Sequence, residues 1–257
     1  MLHKVITVAQ QKGGAGKTTV AAHLIVALAQ KGFRVAGLDT DPQGSLSAWF
    51  QMRKQYWDVR CVQGVEVSAF SDWWRVRPEI DRLRDMYDIV VIDCPPHMEN
   101  DAEKAVKAAD LVVVPIQPSP TDLWATAKTI DLANAQDANT FLLLNRIVTS
   151  SRLSQQFIRD LPRCRFKTVL VNRVAYAESI GEGKTVTETH ASTPAGDEVR
   201  SLADEVTTIL MEQVGDQARA EASAKFSVKS ASEKKPVKVK SASGEKIKAK
   251  VKEDVMA

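Results

Sequence analysis

The chain is poor in the residues that would tie it to disulfides, metal clusters or membranes. Its three cysteines, Cys61, Cys94 and Cys164, stand far apart in 257 residues and form no C-x-x-C pair. That spacing argues against a disulfide framework and against a zinc or iron–sulfur site, and it suits a reducing cytosol. The apolar run "LIVALA" (24–29) is far too short to span a bilayer, and no N-terminal signal pattern is present. Tyrosine is scarce, with Tyr56, Tyr87 and Tyr176 alone, so there is no tyrosine-rich segment. A soluble, cytoplasmic protein is expected, with 44% hydrophobic and 26% charged residues, the composition of an ordinary globular domain.

Net charge is also small, at +3, but it is unevenly spread. From Ser223 onward ten lysines face only Glu233, Glu245, Glu253 and Asp254, which gives the tail +6 and leaves −3 for the first 222 residues. Lys, Ser, Ala and Val dominate this end without a large apolar cluster to offset the entropy of ordering. The expected organisation is a folded domain over 1–217 and a disordered, Lys-rich tail over 218–257.

Within the folded part, short β-branched runs alternate with helical stretches. Strands are expected at 4–9, 34–39, 88–93, 111–116, 140–145 and 167–171. Helices are expected at 17–30, near 44–55 and near 77–86, with 56–74 irregular and carrying Trp57, Trp73 and Trp74. The last helix has Thr193 as N-cap, Pro194 in the first turn, and Val199, Leu202, Val206, Ile209 and Leu210 at helical spacing. Continuous apolar strands between helices predict a doubly wound, mostly parallel α/β sheet with helices on both faces. Ligands of such sheets sit outside the carboxyl ends of the strands.

The chemistry is concentrated at those ends. "QQKGGAGKTT" (10–19) follows the first strand and opens the first helix, fitting G-x-x-x-x-G-K-[ST] if Gln11 replaces the first glycine. Backbone N–H groups of Gly13, Gly14, Ala15, Gly16, Lys17 and Thr18 can wrap a phosphate at a helix N-terminus. Lys17 would pair with β- and γ-phosphate oxygens, and Thr18 would ligate Mg²⁺. In "DTDPQG", Asp39 and Asp41 lie two residues apart and face the same way in an extended segment, an arrangement that favours a bound cation. Asp93 ends the most apolar strand, where an acid is costly unless a cation or hydrogen bonds satisfy it. Cys94 and His97 read as a buried small residue and a solvated loop residue.

Lys12-Gly-Gly-Ala-Gly-Lys-Thr-Thr19 resembles the deviant Walker A loop, KGGxGK[ST][ST], of the ParA/MinD/nitrogenase-iron-protein class of P-loop ATPases. "LDTDPQGSLSAW" (38–49) is similar to the ParA-type switch I, "VVIDCPPH" (90–97) to its Walker B and switch II, and the likeness covers roughly residues 3–212. The resemblance implies a MgATP-binding ATPase, slow until stimulated, that closes into a homodimer around two nucleotides. It implies that Lys12 is the signature lysine, reaching the partner's ATP, and that Thr19 belongs to the nucleotide loop with Lys17 and Thr18. It implies that Asp41 orients the attacking water, that Asp39 and Asp93 stand with Thr18 around Mg²⁺, and that Asn145 and Arg173 lie at the adenine.

A ParA-like role would make the ATP-bound dimer a nonspecific DNA binder that positions a DNA or protein cargo and is reset by an unidentified stimulating partner or cargo adaptor. Such a protein would associate with the nucleoid. Arg146, Arg152, Arg159, Arg163, Arg165, Lys167 and Arg173 against the single acid Asp160 suit that role. With so little chain before the first strand, no N-terminal helix-turn-helix is expected. The alternative is a MinD-like membrane switch, for which Ile247, Val251 and Val255 recur every four residues but without bulky anchors, so membrane binding is not expected. The cysteine and tyrosine counts speak against iron-protein-like and tyrosine-kinase-like relatives.

Overall fold

The computed structural model describes residues 2–56, 65–69, 73–96, 101–161 and 164–232. Six strands are found among them: β1 (Lys4–Val8), β2 (Val35–Asp39), β3 (Val65–Ala69), β4 (Ile89–Asp93), β5 (Leu111–Ile116) and β6 (Thr140–Leu144). All pair in parallel, in the order β3-β2-β4-β1-β5-β6. Every residue of β1, β2, β4 and β5 is buried, as expected of strands covered on both faces. Alternate side chains feed two cores. Ile6, Val8, Ile89, Val91 and Val113 point to one, and Val5, Val90, Ile92, Val112 and Val114 to the other.

Helix α1 (Lys17–Gln30) is almost wholly buried from Val20 to Leu28 and shares the first core with Val199, Leu202, Val206 and Leu210 of α9 (Pro194–Ser232). Burial of α1 explains why small and apolar residues occupy nearly all its faces. Helices α2 (Ser45–Tyr56), α3 (Trp73–Met86), α4 (Asp101–Lys107), α5 (Pro120–Ala135), α6 (Arg152–Asp160), α7 (Val174–Gly181) and α8 (Val186–Thr189) complete the layers. The chain runs from β1 out to β2 and β3, returns to β4 beside β1, and crosses to β5 and β6 on the other side. Register then sets the functional edge, because Asp93 lies opposite both Val8 and Asp39.

Four expectations needed correction. The stretch read as irregular contains edge strand β3, paired with β2 along its length. The strand expected at 167–171 is absent, with only the isolated bridges Leu142↔Arg165 and Ile147↔Val171 nearby. There the amides of Lys167 and Thr168 donate to the Glu205 carboxylate, at 2.7 Å each, and are withdrawn from any ladder. Helix α3 starts at Trp73, not near 77. Thr193 precedes Pro194 as expected, but its hydroxyl donates to His190 O at 2.8 Å and does not cap the helix with its side chain.

The chain divides into two units, 1–214 and 215–257. Residues 218–232, expected to be disordered, belong to the helix, which runs to Ser232. The Ala-, Glu- and Lys-rich run "ARAEASAK" has the propensity for this without any apolar cluster. Residues 233–257, with Ile247, Val251 and Val255, lie outside the described residues, as do Trp57, Cys61, His97 and Arg163. No described helix is long and apolar enough to cross a membrane.

Candidate functional site

The loop between β1 and α1 is held open by backbone geometry that its glycines permit. Gly14 and Gly16 have φ of 75° and 94°, in the left-handed region. A Cβ on Gly16 would also collide with the Asn145 amide. Gly16 is the N-cap of α1 and makes no side-chain cap, and the first turn holds no acid. The helix therefore presents its first N–H groups and positive end without a competing anion of its own, a geometry suited to a phosphate.

Lys17, on that first turn, is 6% exposed. Burial lowers its pKa, while Asp93, Cys94 and Asp41 pull it back up. Its Nζ donates to Lys12 O at 3.5 Å, a weak contact that a phosphate oxygen would outbid.

Asp93 is fully buried, and neither of its carboxylate oxygens has a hydrogen-bond partner. Burial pushes its pKa up to about 7; nearby Thr18 and Lys17 act in the opposite direction, and Asp39 and Asp41 add to the rise. A buried acid with two orphaned oxygens beside a threonine hydroxyl fits a hydrated divalent cation, whose charge would remove the penalty. The described residues hold no cluster of three His, Cys, Asp or Glu able to bind a metal unaided. Cys94 is a buried thiol whose pKa is pushed up to about 12, chiefly by burial, so the bland reading of it holds.

The two acids of "DTD" separate in role. Asp39 accepts the Asp41 amide on Oδ1 at 3.2 Å and the Ser47 amide on Oδ2 at 2.8 Å. Its carboxylate holds the backbone of the turn and the start of α2, and it stands opposite Asp93, near enough to raise that acid's pKa. Asp41 is partly exposed and accepts Gln43 N at 2.9 Å, in a turn closed by Gly44 N donating to Asp41 O. Asp41 lies near enough to Lys17 and Asp93 to influence both.

A cavity of about 310 Å³ opens beside the loop, lined by Gly16, Thr19, His23, Asn145 and the segment 170–174. It is the size of a small-ligand pocket and mostly apolar, as suits a nucleobase. Asn145 does lie there, but its amide is engaged: Nδ2 donates to Ala15 O at 2.9 Å, and Oδ1 accepts Arg146 N at 2.9 Å. It buttresses the phosphate loop from beneath. Arg173 lines the same cavity with its guanidinium turned to Glu198, at 2.8 Å.

Glu198 was missed in the sequence, where it is one more polar residue on α9. It also accepts Tyr176 Oη at 2.8 Å and Val171 N at 3.1 Å, gathering the pocket wall. His23 was missed as well. Its Nε2 accepts Val186 N, so Nδ1–H donates to Thr19 O at 2.7 Å, and burial lowers its pKa to about 4. It is a neutral spacer between α1 and α8.

The second lysine of the loop faces elsewhere. Lys12 Nζ donates to Thr121 Oγ1 at 3.0 Å and pairs with Asp122 at the start of α5, with its own side chain 36% exposed. The two lysines of one loop thus have different surroundings, Lys17 inside and Lys12 at the rim.

A six-stranded parallel sheet with a glycine loop feeding a helix, two lysines and a buried acid at the neighbouring strand end defines a nucleotide-binding P-loop protein. The chain belongs to the CobQ/CobB/MinD/ParA nucleotide-binding domain family, whose model matches residues 6–199. It is 29% identical over 218 residues to maintenance of carboxysome distribution protein A of Halothiobacillus neapolitanus, covering 81% of this chain and 95% of that one. It is 31% identical over 235 residues to chromosome-partitioning ATPase Soj of Thermus thermophilus, covering 78% and 94%. The fold is similar to that of a Cyanothece McdA variant in complex with ATP, with a TM-score of 0.65, 17% identity and coverage of 80% and 96%. It is likewise similar to Pyrococcus horikoshii septum site-determining protein MinD with Mg-ADP, at a TM-score of 0.63, 23% identity and coverage of 79% and 95%.

Proposed function

We propose that the protein is a ParA-like ATPase that binds MgATP, closes into a homodimer, binds DNA nonspecifically and positions a cargo, with hydrolysis resetting the switch. Relatives named for carboxysome distribution and chromosome partitioning support a positioning role. The observation that carries the reading is the division of labour within the loop. Lys17 is buried where its own phosphates would lie, whereas Lys12 stands at the rim on α5, available to a second molecule. A cation supplied across an interface makes assembly part of catalysis.

In this reading the loop amides of 13–18 and Lys17 bind the phosphates, Thr19 and Arg173 line the nucleotide cavity, and Thr18 with Asp93 hold Mg²⁺. When bound, the ion neutralises phosphate charge. Asp39 fixes the turn, and Asp41 at its tip orients water. Asn145 supports the loop and leaves base recognition to the cavity wall. Of the basic residues expected to meet DNA, Arg146, Arg152, Arg159 and Lys167 are exposed. Arg165 donates to Ile158 O at 3.1 Å, and Arg173 is paired with Glu198.

The test compares Lys12→Ala with Lys17→Ala. Lys17→Ala should abolish ATP binding by titration calorimetry. Lys12→Ala should retain it within about threefold, the scale of one exposed ion pair, while losing the protein-concentration-dependent part of turnover. Equal loss of ATP binding in both variants would remove Lys12 from any role in a partner's site.

A further inference from the structure

Asp122 is placed oddly for an acid at a helix start. Ser119 already caps α5, accepting Asp122 N on its Oγ at 3.1 Å. A reciprocal capping box would send the Asp122 carboxylate back to Ser119 N, but that amide donates to Gln117 O at 2.8 Å. The carboxylate turns instead to the phosphate loop. Its Oδ2 receives both Lys12 Nζ and the Ser119 hydroxyl, Oδ1 has no partner, and the side chain is fully buried.

The same helix and its lead-in grip the rest of that limb. Gln117 Nε2 donates to Gly14 O at 2.7 Å, and Gln10 Nε2 donates to Thr126 Oγ1 at 2.9 Å. Apart from the weak contact with Lys17, the side-chain bonds that fix the limb from Gln10 to Gly14 lead to β5–α5, and the charged one is Lys12 with Asp122. A buried carboxylate that loses its cation is left uncompensated, which opposes departure of the lysine.

We propose that Asp122 is a positioning residue for Lys12: it stores the lysine on its own chain and sets how much ATP is needed before the lysine is given up to a second copy. The second half rests on the dimer reading above; the first half does not. Transfer of Lys12 exchanges one anion for another, the buried carboxylate for the facing phosphates. Asp122 therefore raises the threshold for assembly without touching nucleotide.

The test uses the full chain and Asp122→Asn, which keeps shape and the Ser119 contact but removes the charge. In the nucleotide-free protein, an N-hydroxysuccinimide ester should modify Lys12 about 2- to 5-fold faster in the variant, the release of one partly exposed ion pair. Peptide mass spectrometry reads this, with the other lysines as internal controls. By light scattering, the ATP concentration for half-maximal self-association should fall by a similar factor, while ATP affinity at protein concentrations too low to associate stays unchanged.

Thr121→Val, which deletes the outer bond to Lys12 together with the 3.0 Å contact between Thr121 Oγ1 and Ser119 Oγ but keeps the Asp122 charge, should move both readouts the same way by less, and it carries the test if Asp122→Asn does not fold. Unchanged labelling of Lys12 in folded variants overturns the proposal. Faster labelling with an unchanged or higher ATP requirement overturns the threshold role. Faster labelling in a protein that never self-associates leaves the storage contact standing and sinks the dimer reading.

Discussion

Replacing Asp93 by Asn should stabilise the nucleotide-free protein while disabling its site. Asp93 has a folded pKa of about 7 against an ordinary value of 3.8. Below pH 4 the group is protonated in both folded and unfolded chains and costs nothing. Between pH 4 and 7 the unfolded chain ionises while the folded one resists, so stability drains away; above 7 the full penalty remains. About three pKa units correspond to about 4 kcal/mol as a ceiling. The Asn amide would be buried without partners, at a cost of about 1–3 kcal/mol, leaving a net gain of about 1–3 kcal/mol at pH 8.

For a domain of this size that is a rise in Tm of about 2–12 °C. At pH 5 less than half of the Asp93 penalty has accrued, so the advantage should shrink to near zero or reverse. Calorimetric melts of both proteins at pH 5 and pH 8, with and without MgATP, test this. The wild type should gain with MgATP at pH 8 and the variant should gain little. A variant less stable than wild type at pH 8, or equally stabilised at both pH values, would show that Asp93 is not a destabilised anion awaiting a cation.

Gly16→Ala should cost about 2 kcal/mol or more from the left-handed backbone alone, and the collision with Asn145 should abolish ATP binding in the folded fraction; retained binding by calorimetry would mean that the loop has room the geometry denies it. Asp41→Ala, which leaves the Asp39 cap intact, should accumulate an ATP-bound dimer with turnover reduced at least about 100-fold, the lower scale of a lost general base, and unchanged phosphate release would remove Asp41 from the mechanism. Neutralising Arg146, Arg152, Arg159 and Lys167 together should flatten the salt dependence of duplex binding by roughly three to four units in log–log slope. A slope that does not move would place the DNA surface elsewhere.

The legible parts of the molecule were those where one residue type serves one purpose. Strands buried on both faces read as mostly apolar runs, and the glycine-lysine loop and the buried acid at the end of β4 stood out because few other settings tolerate those residues. Edge strand β3 carries no such run, "VEVSA" being half polar, so it was lost among turns. The opposite error at 167–171 came from "KTVLV", whose pattern suits a strand but whose Lys167 and Thr168 amides are claimed by Glu205 and whose Val171 amide is claimed by Glu198. Asn145 lines the cavity, and its bonds to Ala15 O and Arg146 N were not legible in the sequence, because spacing does not encode which backbone groups an amide meets. Asp122 and Glu198 share a common reason for being missed: each carboxylate acts on backbone or on a distant cation, and sequence spacing does not encode such partners.

The carbonyl of Ala15 is fastened by Asn145, 130 residues further along the chain. On a translating ribosome the phosphate loop emerges early, yet its support appears only after β6 has been made, roughly 7–26 s later at 5–20 residues per second. Before then Gln117 can already reach Gly14 O and α1 has its sheet partners, but the Ala15 carbonyl is still unfastened. Nucleotide cannot serve as an early template for this chain; it can only reward a fold already closed. Capture of ATP by stalled chains should therefore begin sharply once β6 and the segment 170–174 have cleared the exit tunnel.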